Sequence, residues 1–147
     1  VVDVVTRVTI GRPIAEVAAY ARDPATATEW YRNIASSRQL TPDPLQVGSQ
    51  IAFVANFLGR RLEYVYDVVE MVDDRRFVMR TSDGPFAMET TYEWEAVGES
   101  STRMSLRNRG TPTGFSKLVA PMMSPAMRRA NRNDLRTLKA RLETYPG

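Results

Sequence analysis

From Phe86 to Ala96 the chain alternates without a break: Phe86, Met88, Thr90, Tyr92 and Trp94 fall on one side, Glu89, Glu93 and Glu95 on the other. A period of two puts these residues on opposite faces of a β-strand. Related segments lie before and after it. Val2 to Ile10 is rich in Val, Thr and Ile, and Ile34 to Leu40, Ser49 to Phe57, Arg61 to Met71, Arg76 to Thr81 and Thr102 to Arg109 also read as strands. Turn residues separate them: Thr41-Pro42-Asp43-Pro44, Val47-Gly48, Leu58-Gly59-Arg60, Asp73-Asp74, Asp83-Gly84-Pro85 and Gly98 to Ser101. Strands linked in series by tight turns predict an antiparallel meander. One apolar face and one charged face predict a sheet solvated on one side only. Such a face must be covered by another layer.

The remaining segments are helical. Pro13 to Ala21 carries Ile14, Val17 and Ala18 at helical spacing, with Pro13 in the first turn and Glu16 placed to favour the dipole. Asp23 with Pro24 behind it predicts the start of a second short helix ending near Trp30. Phe115 to Glu143 is the cover for the sheet, with Leu135, Leu138 and Leu142 on one side and Arg128, Arg132 and Arg136 on another. Pro121 and Pro125 interrupt its first half, so a kink there, or a helix that starts in earnest only near Pro125, is expected. Met122, Met123 and Met127 make that half an adjustable wall.

The 147 residues match the length of one domain, so 1–147 is expected to be a single α+β unit with a curved antiparallel sheet of about seven strands and a long C-terminal helix. The order of elements resembles the helix-grip fold. At residue level the chain looks like the polyketide cyclase/dehydrase-like branch of the START-related and pollen-allergen-related superfamily, SRPBCC. The residues behind the resemblance are Ile10-Gly11-Arg12-Pro13 through Val17, Asp23 to Trp30, Val47-Gly48, Leu58-Gly59-Arg60 and Leu135 to Glu143. Membership implies a central apolar cavity without fixing an activity.

Composition excludes several chemistries. There is no His and no Cys, so His-dependent triads, thiolate nucleophiles and disulfides are absent. No acidic cluster has metal-ligand spacing and no nucleotide or phosphate loop is present, so neither metal nor cofactor is expected. Catalytic residues cannot be named. Glu89, Glu93 and Glu95 point away from the apolar face and are expected to pair with Arg103, Arg107 and Arg109 on the next strand.

Candidate ligand contacts are therefore the inward residues: Trp30, Phe53, Tyr64, Tyr66, Met79, Met88, Tyr92 and Met104, with Met123, Met127 and Asn131 from the helix. Thr90 and Asn108 add polar atoms on the same face, and Tyr31 borders the expected entrance. A few polar groups in an apolar wall suit a small ligand; plain core packing with each phenol on a backbone carbonyl is the competing reading.

Three functions compete. The first is binding or transport of a small hydrophobic molecule such as a lipid, isoprenoid or polyketide-like compound. The second is a polyketide cyclase, aromatase or dehydratase, in which Tyr66, Tyr92 or an arginine polarises a carbonyl. The third is an interaction module using the basic helix. From Phe115 onward the chain has seven basic and two acidic residues, so the positive charge is concentrated there. A solvated face accounts for the Arg128, Arg132, Arg136 stripe; an acidic carrier protein or a membrane surface is the alternative partner. No nucleic acid partner is expected, since the stripe lacks interleaved aromatics. The opening residues do not read as a signal peptide and no run reaches the ~18 apolar residues of a membrane helix, so a cytoplasmic location is expected.

Overall fold

Strand β1 (Val2–Ile10) leads into helix α1 (Ile14–Arg22), a 3-10 turn at Pro24–Thr26 and the one-turn helix α2 (Ala27–Trp30). Six strands follow: β2 (Ile34–Gln39), β3 (Gln50–Phe57), β4 (Arg60–Val72), β5 (Arg76–Asp83), β6 (Ala87–Gly98) and β7 (Ser101–Thr111). Helix α3 (Phe115–Thr144) ends the chain. The structure is a computed structural model that describes residues 2–57, 59–83, 87–111 and 115–144, and their side chains except at 57, 83, 111 and 115–123. Met123 and Met122, expected in the adjustable wall, thus have side chains outside the described residues, as do Phe57, Phe86 and part of the Asp83-Gly84-Pro85 turn.

The seven strands form one antiparallel sheet in the order β1-β7-β6-β5-β4-β3-β2. Each hairpin pairs with the next, and β1 returns to pair with β7 at the far edge. The fold is helix-grip: the sheet curls into a half-barrel and α3 fills its concave side. Gly48 and Gly59 take positive φ, +96° and +75°, at two of the strand entries, where an L side chain would be strained. Asp23 caps the 3-10 turn by accepting the N–H of Ala25 at 2.9 Å. Pro13 stands just ahead of α1 as its cap rather than inside its first turn.

The faces follow the alternation. Val68, Phe77, Met79, Tyr92, Trp94, Met104 and Leu106 are buried with Leu135, Leu138 and Leu142 of α3 in one core. The outer face is a lattice of ion pairs: Arg107 with Asp3, Arg80 with Glu89, Arg109 with Glu89, Arg103 with Glu95, and Arg76 with both Glu70 and Glu93. Arg107 takes its partner from β1 instead of β6.

Helix α3 departs from the expectation of a late start. It begins at Phe115 and continues through Pro121 and Pro125, so it does not wait for Pro125 to start. Each proline removes a single internal hydrogen bond, and the missing bond of Pro125 would have been to Pro121 itself. Burial of Met127, Leu135, Leu138 and Leu142 below offsets that loss, at about 1.5–3 kcal/mol per large side chain.

The C-terminal end of α3 is pinned to the end of β1. Glu143 accepts the N–H of Gly11 at 2.7 Å, and Lys139 donates to the Thr9 carbonyl at 2.9 Å. These bonds also occupy part of an edge strand that would otherwise be open to pairing. Among the described residues no helix is long and apolar enough to cross a membrane.

Candidate functional site

The curl of the sheet brings β2, β3, β4, β5, β6 and β7 around one interior space. In the register, Phe53 lies opposite Tyr64, and Met79, Thr90 and Asn108 form a row across β5, β6 and β7. Together with Tyr66, Tyr31, Ile34 and Ala55 they enclose a cavity of about 110 Å³. The wall is mostly aromatic and aliphatic. Phe53 meets Tyr66 edge-on at 5.5 Å, and Tyr64 and Tyr66 are 5.9 Å apart. Such rings pack in tilted arrangements because their electron-rich faces attract ring edges.

Two polar devices interrupt this wall. Thr90 donates to the Asn108 side-chain oxygen at 2.6 Å, and both line the cavity with Tyr66. The Tyr31 and Tyr92 hydroxyls meet at 2.5 Å. Burial is the main reason that the phenols of Tyr31, Tyr64, Tyr66 and Tyr92 titrate above their ordinary value, Tyr66 at about 12. All four stay neutral near pH 7, so they can donate or accept hydrogen bonds but do not serve as phenolate bases.

Asp134 adds a charge that the sequence pattern left on the surface helix. Its side chain is buried, with the residue only 3% exposed, and it accepts the backbone N–H of Arg32 at 3.0 Å. Burial raises its carboxyl to about 6, against the lowering effect of that hydrogen bond and of the Arg32 charge. Tyr31 and Tyr92 both sense this carboxylate. The Asp134 carboxyl therefore changes protonation closer to neutral pH than an exposed aspartate does.

Among the expected contact residues, Phe53, Tyr64, Tyr66 and Met79 line the cavity. Trp30, Tyr92 and Met104 are buried in the core outside the cavity lining, with the Tyr92 hydroxyl hydrogen-bonded to that of Tyr31 in the cavity wall. Met127 and Asn131 are buried on α3 outside the cavity lining, and among the described residues the Asn131 amide nitrogen has no hydrogen-bond partner. Met88 lines a different recess, with Arg80, Glu89 and Arg109. The cavity contacts missed were Ile34 and Ala55, and the buried Asp134, which lines a separate recess, was missed as well. The available signal for Asp134 was spacing: residues 131, 134, 135, 138 and 142 share one helix face.

A larger recess of about 730 Å³ lies elsewhere, among Arg7, Arg76, Glu93, Glu95 and Arg103. Within it Arg76 pairs with Glu93 and Arg103 with Glu95, and Arg75 also lines it.

A half-barrel gripping a helix around a small, mostly apolar cavity defines a helix-grip protein of the SRPBCC superfamily. More narrowly, the chain belongs to the family described as polyketide cyclase/dehydrase and lipid transport, whose family model matches residues 1–143. Three solved structures share the fold. A Thermus thermophilus protein superposes with a TM-score of 0.84 at 19% identity, covering 99% of both chains. A START superfamily protein from Mycobacterium smegmatis gives 0.80 at 14%, covering 97% of both. The Zhui aromatase/cyclase from a Streptomyces species gives 0.81 at 13%, covering 96% of this chain and 93% of its own. None of the curated proteins compared matches the chain in sequence.

Proposed function

We propose that the protein binds a small hydrophobic molecule carrying one or two oxygen atoms in the cavity walled by Tyr31 and the inner side of β2 to β7. The observation that carries this reading is the cavity itself, an aromatic enclosure with Thr90 and Asn108 in its wall. Its 110 Å³ is below the roughly 300–1,000 Å³ of drug-sized sites and below the about 150 Å³ that holds benzene in an apolar cavity. A compact ring then needs a small outward shift of the wall, and a longer lipid, isoprenoid or polyketide-like chain needs side chains such as Met79 and Tyr64 turned well aside on entry. Methionine favours the second, since its unbranched side chain re-packs at little cost.

The test is native mass spectrometry of the purified protein, followed by titration with a series from phenol to long-chain fluorescent lipids. Saturable binding that is lost on filling the cavity supports the reading. Absence of any co-purified or saturable ligand across the series overturns it.

A second reading, a cyclase or dehydratase, is favoured by the Tyr31–Tyr92 pair and Asp134. Neutral phenols can polarise a carbonyl while a carboxyl with a pKa of about 6 exchanges the proton. Turnover of a polyketide-like thioester should then fall in Tyr92→Phe and Tyr66→Phe; unchanged rates in both remove them from the reaction.

A further inference from the structure

Helix α3 carries its guanidinium groups differently from the sheet. On the outer sheet face most arginines are matched with acids, as Arg107 with Asp3 and Arg80 with Glu89, both at 2.7 Å. Arg128, Arg129, Arg132 and Arg136 are exposed, and among the described residues none of them forms an ion pair. The same holds for Arg32, in the turn after α2.

Arg32 and Arg129 line one recess. It has a volume of about 240 Å³ and lies between the turn at Arg32-Asn33 and α3, with Ala130, Asn133 and Asp134 completing its wall. The lone carboxylate there is engaged with backbone: its Oδ1 takes the Arg32 N–H. Among the described residues neither guanidinium beside it forms an ion pair, although the Arg32 charge still acts on the Asp134 carboxyl. Three more exposed arginines, Arg128, Arg132 and Arg136, stand on the same helix outside the recess lining.

We propose that this recess binds an oxyanion, a phosphate, sulfate or carboxylate group, between the guanidiniums of Arg32 and Arg129. Guanidinium forks match the oxygen spacing of such groups in two-point contacts. The carboxamides of Asn33 and Asn133 supply further donors, and Ala130 leaves the helix surface open to close approach. Arg128, Arg132 and Arg136 add a positive field that draws anions toward it. The anion is either a free group on a polar metabolite or the head of an amphiphile whose apolar part occupies the interior cavity. Tyr31, which lines that cavity, directly precedes Arg32 in the chain.

Asp134 couples the site to pH. The charged and titratable groups around it are Arg32 and Tyr31 from the turn, Tyr92 from β6 and Arg129 on its own helix. Ionised Asp134 opposes a bound anion, so binding and protonation favour each other by the same factor.

Sulfate is the probe of choice because its charge is constant from pH 5 to 8. Titrated at fixed ionic strength against chloride and followed by amide NMR, it should give saturable shifts at Arg32, Asn33, Ala130 and Asn133. Arg129→Ala should weaken binding about tenfold or more, the loss expected for a charge-assisted contact. Arg136→Ala should leave saturation in place. Binding should tighten severalfold from pH 7.5 to pH 5.5 in the native protein and stay level in Asp134→Asn. Octyl sulfate separates the two sources: tighter binding with added shifts at Thr90 and Tyr64 identifies an amphiphile head, equal affinity a free anion. Shifts that never saturate, or that persist unchanged in Arg129→Ala, overturn the site. Octyl sulfate that perturbs only the cavity, with no inorganic sulfate binding, also overturns it while leaving the cavity reading intact.

Discussion

Asp134 on α3 accepts the backbone N–H of Arg32 at 3.0 Å, and that bond ties the helix to the turn that carries Tyr31. The bond joins residues 102 positions apart, and its acceptor is a buried carboxylate whose titration is shifted up to about 6.

The shift has a definite sign. Asp134 in the unfolded chain titrates near 3.9, so folding favours its protonated form. The associated stability is fully present below about pH 4 and is lost as pH rises through about 6. At pH 7.5 the ionised group therefore costs the fold about 2–3 kcal/mol. Asp134→Asn keeps an acceptor for Arg32 and removes the charge. Urea unfolding should show it more stable than the native protein at pH 7.5 by about 1–2 kcal/mol, with the gain gone at pH 4.

Tyr31 and Tyr92 share one hydrogen bond in a dry environment. Removing either hydroxyl leaves the other without its partner, at a cost of about 1–3 kcal/mol. Removing both leaves no orphan. Tyr31→Phe and Tyr92→Phe should each destabilise, and the double variant should be less destabilised than the sum. A double-mutant cycle by denaturant unfolding measures this coupling; strict additivity would show that the bond contributes nothing.

Leu138 is fully buried and Arg132 is exposed on the same helix. Leu138→Ala should cost about 2–5 kcal/mol through lost contacts and the void it leaves. Arg132→Glu should stay within about 0.5 kcal/mol, as exposed sites away from special features do. Thermal melts of the two proteins under one set of conditions provide the comparison.

Ala55 forms part of the cavity wall, and its small side chain helps to leave the space empty. Ala55→Leu should fill that space. A fluorescent apolar probe is expected to bind at least about tenfold more weakly, while stability changes by less than overpacking of a dense core would cause, about 1–3 kcal/mol. Unchanged probe affinity would place the bound probe elsewhere on the molecule.

Much of the fold was legible because its signals are local. The alternation of β6 placed Met88, Thr90, Tyr92 and Trp94 on the buried face, and all four are buried. The spacing of Leu135, Leu138 and Leu142 did the same for α3. The prolines argued for a kink or a late start, and the late start does not occur, since the helix runs from Phe115 to Thr144. In the cavity wall, Phe53, Tyr64, Tyr66 and Met79 were legible as inward apolar residues. Ile34 and Ala55 were not, because a cavity is defined by where side chains fail to meet, and no single strand carries that information.

The sequence by itself determined which face of each strand and helix is apolar, where the chain turns, and that His and Cys chemistry is absent. These follow from backbone periodicity and residue type, which act over a few positions. Only the tertiary structure decided that Tyr31 meets Tyr92 and that Asp134, by composition one of the few acids of a basic helix, is buried against Arg32. Those pairings span 61 and 102 residues. They exist because the sheet curls far enough for α3 and the turn after α2 to close on each other, excluding the water that would otherwise solvate each group separately.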